Sequence, residues 1–370
     1  MKSKIAVFTS TRAEYGLLRN LCKLLDSEKL FQLIIIVTGT HLEDEYGYTC
    51  DQIKKDGFSN LEFIHLSIKG DKNAAEITAE LITKISKFFE DFNPDFLIVL
   101  GDRYEALGAV YSAFLKKIKI IHLHGGEVTF GSLDNGFRNA ISQLANLHFT
   151  SLEKHTKNLL NMGVNKKNIF TVGPMIKDLL NCHESITHSQ FEKKLNFKFD
   201  KFNIILTFHP ESYIYDYGLE KLKNIFRVIL ELEANVLITY PNIDEGGEII
   251  KTALIRFSER NSDRCFLYKS LGSDLYISSL KLFDVVIGNS SSGIIEAPLI
   301  GIPSLNIGER QKGRSTFGKV SNLDGSYKEM YESLKKIKEG KTPLSQPRNL
   351  QIERKLPSYE IIKILKEIIN

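Results

Sequence analysis

Three carboxylic acids stand where short apolar runs stop in the first half of the chain. Asp102 follows Val99-Leu100-Gly101, Glu127 follows His124-Gly125-Gly126, and Asp134 lies in a Gly-containing loop before an amphipathic segment, 137–145. His209 adds an imidazole directly after the run Ile204–Phe208. Carboxyls and imidazoles take up and release protons near neutral pH. Each acid by itself has a plainer reading. Asp is a good helix cap and turn former, which suits Asp102 and Asp134. Glu127, after two glycines, has less need of that role. Gathered on one cleft, the three acids and His209 make a set suited to proton transfer.

A second constellation is Gly288-Asn289-Ser290-Ser291-Ser292-Gly293, at the end of the run Val285–Ile287. The spacing predicts a helix immediately afterwards. A helix start presents free N–H groups and a partial positive charge. Small residues let an anion approach them, and the hydroxyls of Ser290 and Ser291 add donors, so the stretch reads as a diphosphate cradle. One serine alone is equally an N-cap. Glu296, about one turn into that helix, is placed to accept the two hydroxyls of a ribose; its plain alternative is a partner for the helix dipole.

Other patterns are set aside on their chemistry. Gly308–Ser315 approaches a P-loop, but Arg314 stands where lysine is required and no apolar helix follows. Ser10–Gly16 after the first strand is not G-x-G-x-x-G, which disfavours a nicotinamide or flavin site. His122 and His124 alternate onto one strand face but lack an evident third ligand, so no metal is expected. The four cysteines are far apart and form no C-x-x-C pair. A net charge of +4 without a basic, aromatic-rich block argues against nucleic acid. With no signal-like start and no apolar run long enough to span a bilayer, a cytoplasmic protein off the membrane is expected.

The elements that must position these groups follow a rhythm. Apolar runs at 5–8, 33–37, 96–100, 120–123, 148–150 and 169–172 alternate with helical segments such as 75–89 and 152–162. After Gly173-Pro174 the rhythm restarts, with runs at 204–208, 236–239, 265–267, 285–287 and 304–307. Buried runs alternating with helices specify parallel, doubly wound sheets. The expectation is an α/β protein of two Rossmann-like domains facing a cleft. The first, 1–174, carries the acids; the second, 175–350, carries the anion cradle; a last helix, within 351–370, crosses back to the first. Ligands of such sheets bind beyond the carboxyl ends of the strands, where these residues stand.

In order along the chain, GDRYEA, HLHGGEVT, LDNGFRNAISQLANLHF, VGP, FHPES, YPNID and GNSSSGIIEAP…NIGERQKGR resemble the bacterial hydrolysing UDP-N-acetylglucosamine 2-epimerases. That family includes sialic-acid-pathway enzymes and legionaminic-acid-pathway relatives acting on UDP-diacetylbacillosamine. The resemblance spans Arg12 to Arg314. It implies a GT-B-like fold, no metal or redox cofactor, a UDP-sugar substrate and a homodimer. It places Arg12 and His209 at the diphosphate, Ser290 and Ser291 on phosphate oxygens, Glu296 on the ribose, Arg310 at the nucleotide and Asn242 in the same pocket. Asp102, the loop from His124 to Glu127, and Asp134 become the acid/base machinery. The implied reaction is elimination of UDP to a 2-acetamidoglucal and then hydration, which with UDP-GlcNAc gives ManNAc. Relatives carry Arg-His where this chain has Arg138-Asn139, so that histidine's role is absent or filled by another group. A non-hydrolysing epimerase and a GT-B glycosyltransferase are the competing readings.

Overall fold

The computed structural model describes residues 2–67, 73–183, 185–242, 245–341 and 356–369. The expected boundary at 350/351, most of the Pro-containing stretch before the last helix, and the Ile243-Asp244 half of the Pro-Asn-Ile-Asp turn lie outside them.

The chain divides into two compact units. The first holds seven parallel strands: β1 (Ser3–Thr9), β2 (Phe31–Thr38), β3 (Leu61–Ile64), β4 (Phe96–Leu100), β5 (Lys119–Leu123), β6 (Leu147–Thr150) and β7 (Ile169–Thr171), in the spatial order 3-2-1-4-5-6-7. The second holds β8 (Asn203–Thr207), β9 (Asn235–Thr239), β10 (Cys265–Tyr268), β11 (Val285–Gly288), β12 (Ser304–Ile307) and β13 (Ser321–Leu323), in the order 10-9-8-11-12-13. Both orders are those of Rossmann-type sheets. The sequence missed β3 and β13. Each is an edge strand of three or four residues, and β13, Ser-Asn-Leu, has no apolar run to betray it.

Strand β1 shows why the runs are unbroken. Ile5 and Val7 enter one core with Leu18, Leu21 and Leu25 of the helix Arg12–Ser27. Ala6 and Phe8 enter another with Ile85 and Phe89 of the helix Ala74–Phe92. A sheet covered on both faces needs apolar residues at every position. The last helix, Pro357–Ile369, packs in the first unit, where Ile361 and Leu365 join the core and the Ser358 N–H donates to Asp178 at 3.0 Å. The second unit is cored by strands β8, β9 and β11 against Leu222, Ile225, Val228 and Leu254. Val128–Leu133 also belongs to the second unit, where the Phe130 N–H donates to the Lys312 carbonyl at 2.8 Å.

Candidate active site

In the first sheet the strand order reverses between β1 and β4, the place where such sheets bind ligands. Arg12 is the first residue of its helix. The loop ahead of it is folded by Glu14, whose Oε2 accepts from Ser10 N (2.7 Å), Ser10 Oγ (3.0 Å) and Thr11 N (3.0 Å). Glu14 is buried, its other oxygen has no hydrogen-bond partner, and burial pushes its pKa up to about 7. Sequence reasoning passed over it, although Thr11-Arg12-Ala13-Glu14 has the spacing of a capping box.

Asp102 does not cap the following helix. Arg103 holds the N-cap position of Tyr104–Leu115, with no side-chain bond there. The Asp102 carboxylate instead pairs with Arg138, which is 1% exposed. A second guanidinium nitrogen of Arg138 donates to the Glu127 carbonyl at 3.2 Å. One buried cation therefore ties the loop after β4 to the loop after β5. Arg138 was visible only as part of a motif. Its signal was an arginine four residues after Asp134, on the face that also carries Ile141 and Ser142. Asp134 itself is not in a loop before the helix. It is the first residue of Asp134–Leu144, which begins three residues earlier than the apolar pattern indicated.

Glu127 is 4% exposed. Its Oε1 lies 3.3 Å from His124 Nδ1 and accepts from the Ser151 hydroxyl at 2.7 Å. The loop reaches this depth through Gly126, at φ +75°, where an added Cβ would lie 2.9 Å from Leu159 Cγ and press on the His155 backbone. His124 has a left-handed backbone at φ +62°, and its Nε2 accepts the Met175 N–H at 3.1 Å. His122 turns both ring nitrogens to local partners, Ser142 Oγ at 3.0 Å and the Gly101 carbonyl at 2.8 Å. Burial pushes its pKa down to about 3.

In the second sheet the order reverses between β8 and β11. His209 and Asn289 stand at those two strand ends and are clasped. The His209 N–H donates to Asn289 Oδ1 at 2.6 Å, and Asn289 Nδ2 donates to the His209 carbonyl at 2.8 Å. His209 Nδ1 accepts the Asn242 N–H at 3.0 Å, so the neutral ring carries its proton on Nε2. Gln311 donates to the Asn289 carbonyl at 2.9 Å, in the loop that carries the buried Arg310. Glu211 ties the same loops. It pairs with Lys221 at 2.6 Å and accepts the Glu309 N–H at 3.0 Å. Gly288, at φ +136°, lies against the Thr207 backbone, where no side chain fits. Asn289, Glu211 and Gln311 carried no sequence signal for these ties, because their partners are 10 to 98 residues away.

The serine stretch departs from the expected strand-to-helix cradle. Ser291–Gly293 form a 3-10 turn, and the helix after it, Glu296–Ile300, has five residues. Glu296 is its first residue. Ser290 is the N-cap of the turn and accepts from the Ser292 N–H at 3.4 Å. The Ser292 hydroxyl bonds Tyr276. Ser290 and Ser291 are half-buried at the end of β11.

Acids and arginines thus stand at the strand ends of one Rossmann-type sheet, and His, Arg and serines at those of the other. The chain belongs to the UDP-N-acetylglucosamine 2-epimerase family, whose profile matches residues 23–355. It is 36% identical over 315 residues to the GDP/UDP-N,N'-diacetylbacillosamine 2-epimerase (hydrolyzing) of Campylobacter jejuni, covering 85% of this chain and 82% of that one. It is 33% identical to the UDP-N,N'-diacetylbacillosamine 2-epimerase (hydrolyzing) of Legionella pneumophila, covering 88% and 86%. In fold it is similar to the UDP-GlcNAc 2-epimerase of Neisseria meningitidis solved with UDP-GlcNAc, with a TM-score of 0.77 at 19% identity, covering 98% and 100%. Among the described residues no helix is long and apolar enough to cross a membrane.

Proposed function

We propose that the protein is a hydrolysing 2-epimerase of a UDP-2-acetamido sugar, releasing UDP and the free 2-epimer. The observation that carries this reading is the Arg138 tie. It holds the Asp102 carboxylate and the backbone of the Glu127 loop together at adjacent strand ends, so one buried cation fixes the loops that carry two of the acid/base groups.

The chemistry divides into two proton events. A base removes the proton at C2 while the C1–O bond to UDP breaks, leaving a C1=C2 double bond. Water then adds to C1, and an acid returns a proton to the opposite face of C2. The C2 proton is weakly acidic, so both a placed carboxylate and a stabilised leaving group are needed. Asp102, Glu127 and Asp134 supply the proton transfers. In the second unit His209, through Nε2–H, donates to the diphosphate with Ser290, Ser291 and Arg310. Glu296 holds the ribose, and Asn242 lines the nucleotide pocket.

The sequence put UDP-GlcNAc first as substrate, giving ManNAc for sialic-acid-type sugars. The two relatives above are both named for diacetylbacillosamine, which supports UDP-N,N'-diacetylbacillosamine, the legionaminic-acid branch, as the preferred sugar. Separate incubation with each nucleotide in D2O decides. Free epimer deuterated at C2 plus UDP is the expected outcome, faster with the bacillosamine nucleotide. Epimerised UDP-sugar would mean the non-hydrolysing reaction. No sugar product without an acceptor would point to a glycosyltransferase.

A further inference from the structure

Behind Glu127, away from any group assigned a role so far, Ser151 and His155 complete a chain of short contacts within the first unit. Ser151 Oγ is 2.7 Å from Glu127 Oε1 and 2.9 Å from His155 Nδ1. Ser151 and His155 are each 2% exposed. A hydroxyl has one proton to give, so the chain runs in one of two directions. Either Glu127 Oε1 is protonated and donates inward, ending on a bare His155 Nδ1, or His155 Nδ1–H donates outward and Oε1 accepts.

His124 decides between them. A backbone amide is always a donor, so the Met175 N–H fixes His124 Nε2 as an acceptor. The proton of the neutral ring is then on Nδ1, which faces Glu127 Oε1 at 3.3 Å. A proton on Oε1 would meet that N–H head on. Oε1 is therefore an acceptor, Ser151 donates to it, and His155 donates to Ser151. Burial pushes the His155 pKa down to about 4, so its ring is neutral at working pH and has one proton to place.

We infer that Ser151 and His155 are positioning residues for Glu127, forming an outward relay, His155 Nδ1–H to Ser151 Oγ–H to Oε1, that reserves Oε2 as the oxygen giving and taking the proton. The proton that leaves Oε2 for the sugar C2 is replaced from water after product release, and the relay keeps its own protons throughout. This rests on Glu127 being an acid/base group, and it extends that reading by naming the oxygen and the side chains that select it.

The direct test is 15N–1H correlation of the imidazoles in histidine-labelled wild-type protein, with His155→Gln and His124→Gln assigning two of the nine histidines. Both rings are expected as Nδ1–H tautomers. His155 found as Nε2–H would overturn the relay whether or not the protein turns over either nucleotide. Failure of turnover with a His155 Nδ1–H tautomer would instead count against the epimerase reading alone. The kinetic test compares Ser151→Ala with Ser151→Thr. Losing a donor to a carboxylate favours its neutral form, so the limb of the kcat/KM profile set by Glu127 should move to higher pH in Ser151→Ala. It should return in Ser151→Thr, which restores the hydroxyl. A profile unmoved by Ser151→Ala, with only the rate lowered, would reduce Ser151 to a packing role and overturn the inference.

Discussion

Asp102 and Arg138 form an ion pair in which the cation is the deeper partner, with side-chain exposures of 20% and 1%. From sequence alone Asp102→Asn is a mild change, because asparagine caps as well as aspartate. The pair alters that expectation, since the amide leaves a buried guanidinium without its counter-charge. Breaking a fully buried pair costs about 3–5 kcal/mol, and solvent access at Asp102 brings the expectation down to roughly 1–3 kcal/mol. Asp102→Asn should therefore lower both stability and turnover, the latter by about 10²- to 10⁴-fold. Adding Arg138→Met should recover stability and none of the activity. Urea denaturation of the single and double variants checks the first claim, and UDP release checks the second.

The serine turn separates two roles that the sequence left together. Ser290 caps the 3-10 turn, so Ser290→Ala should cost about 0.5–2 kcal/mol of stability, whereas Ser291→Ala should cost little. If both hydroxyls also meet phosphate oxygens, each bond contributes about 1.5–3 kcal/mol to binding. The double alanine variant should bind UDP clearly more weakly by calorimetry. A stability loss with unchanged affinity would return both serines to capping alone.

Glu14 gives a pH signature. Its folded pKa, about 7, lies above the ordinary value of 4.5. The folded state therefore holds the proton more tightly than the unfolded chain. The stability linked to this group is complete below pH 4.5, declines between 4.5 and 7, and levels off above 7. Glu14→Gln keeps an acceptor for Ser10 and Thr11 and cannot ionise. Its stability relative to wild type should rise across that window, by at most about 3 kcal/mol. A difference that stays flat between pH 4.5 and 7 would show that Glu14 is already ionised within the fold.

Glu127→Gln and Asp134→Asn should fold and bind UDP yet lose turnover by about 10²- to 10⁴-fold. They should differ in what stops. A variant missing the group that protonates C2 should release the glycal. A variant missing the group that deprotonates C2 should also fail to exchange that proton with solvent deuterium. Near-normal rates in both would sink the acid/base assignment.

The sheets were legible because a strand covered on both faces must be apolar throughout, as Ile5 to Phe8 are, and such runs announce themselves. Edge strands β3 and β13 escaped for the complementary reason: half-covered, they need no such run. The acids were legible because strand ends collect them in a recognisable order. What holds those acids was not. Arg138 reaches Asp102 across 36 residues, and Ser151 reaches Glu127 across 24. A linear pattern carries no trace of such a meeting. The helix start at Asp134 was displaced because its first residues, Asp134-Asn135-Gly136, include no large apolar side chain to extend the apolar spacing.

Histidine 124 meets three demands at once. Its backbone is left-handed, its ring is buried, and its two nitrogens face an amide donor on one side and a carboxylate on the other. Glycine would meet the first demand only. Asparagine tolerates the backbone but is too short to span from Met175 to Glu127, and glutamine has the reach but not the backbone preference. None of these three satisfies all the demands. Glycine, asparagine and glutamine at this position should therefore each turn over more slowly than histidine, each failing a different one of the three demands.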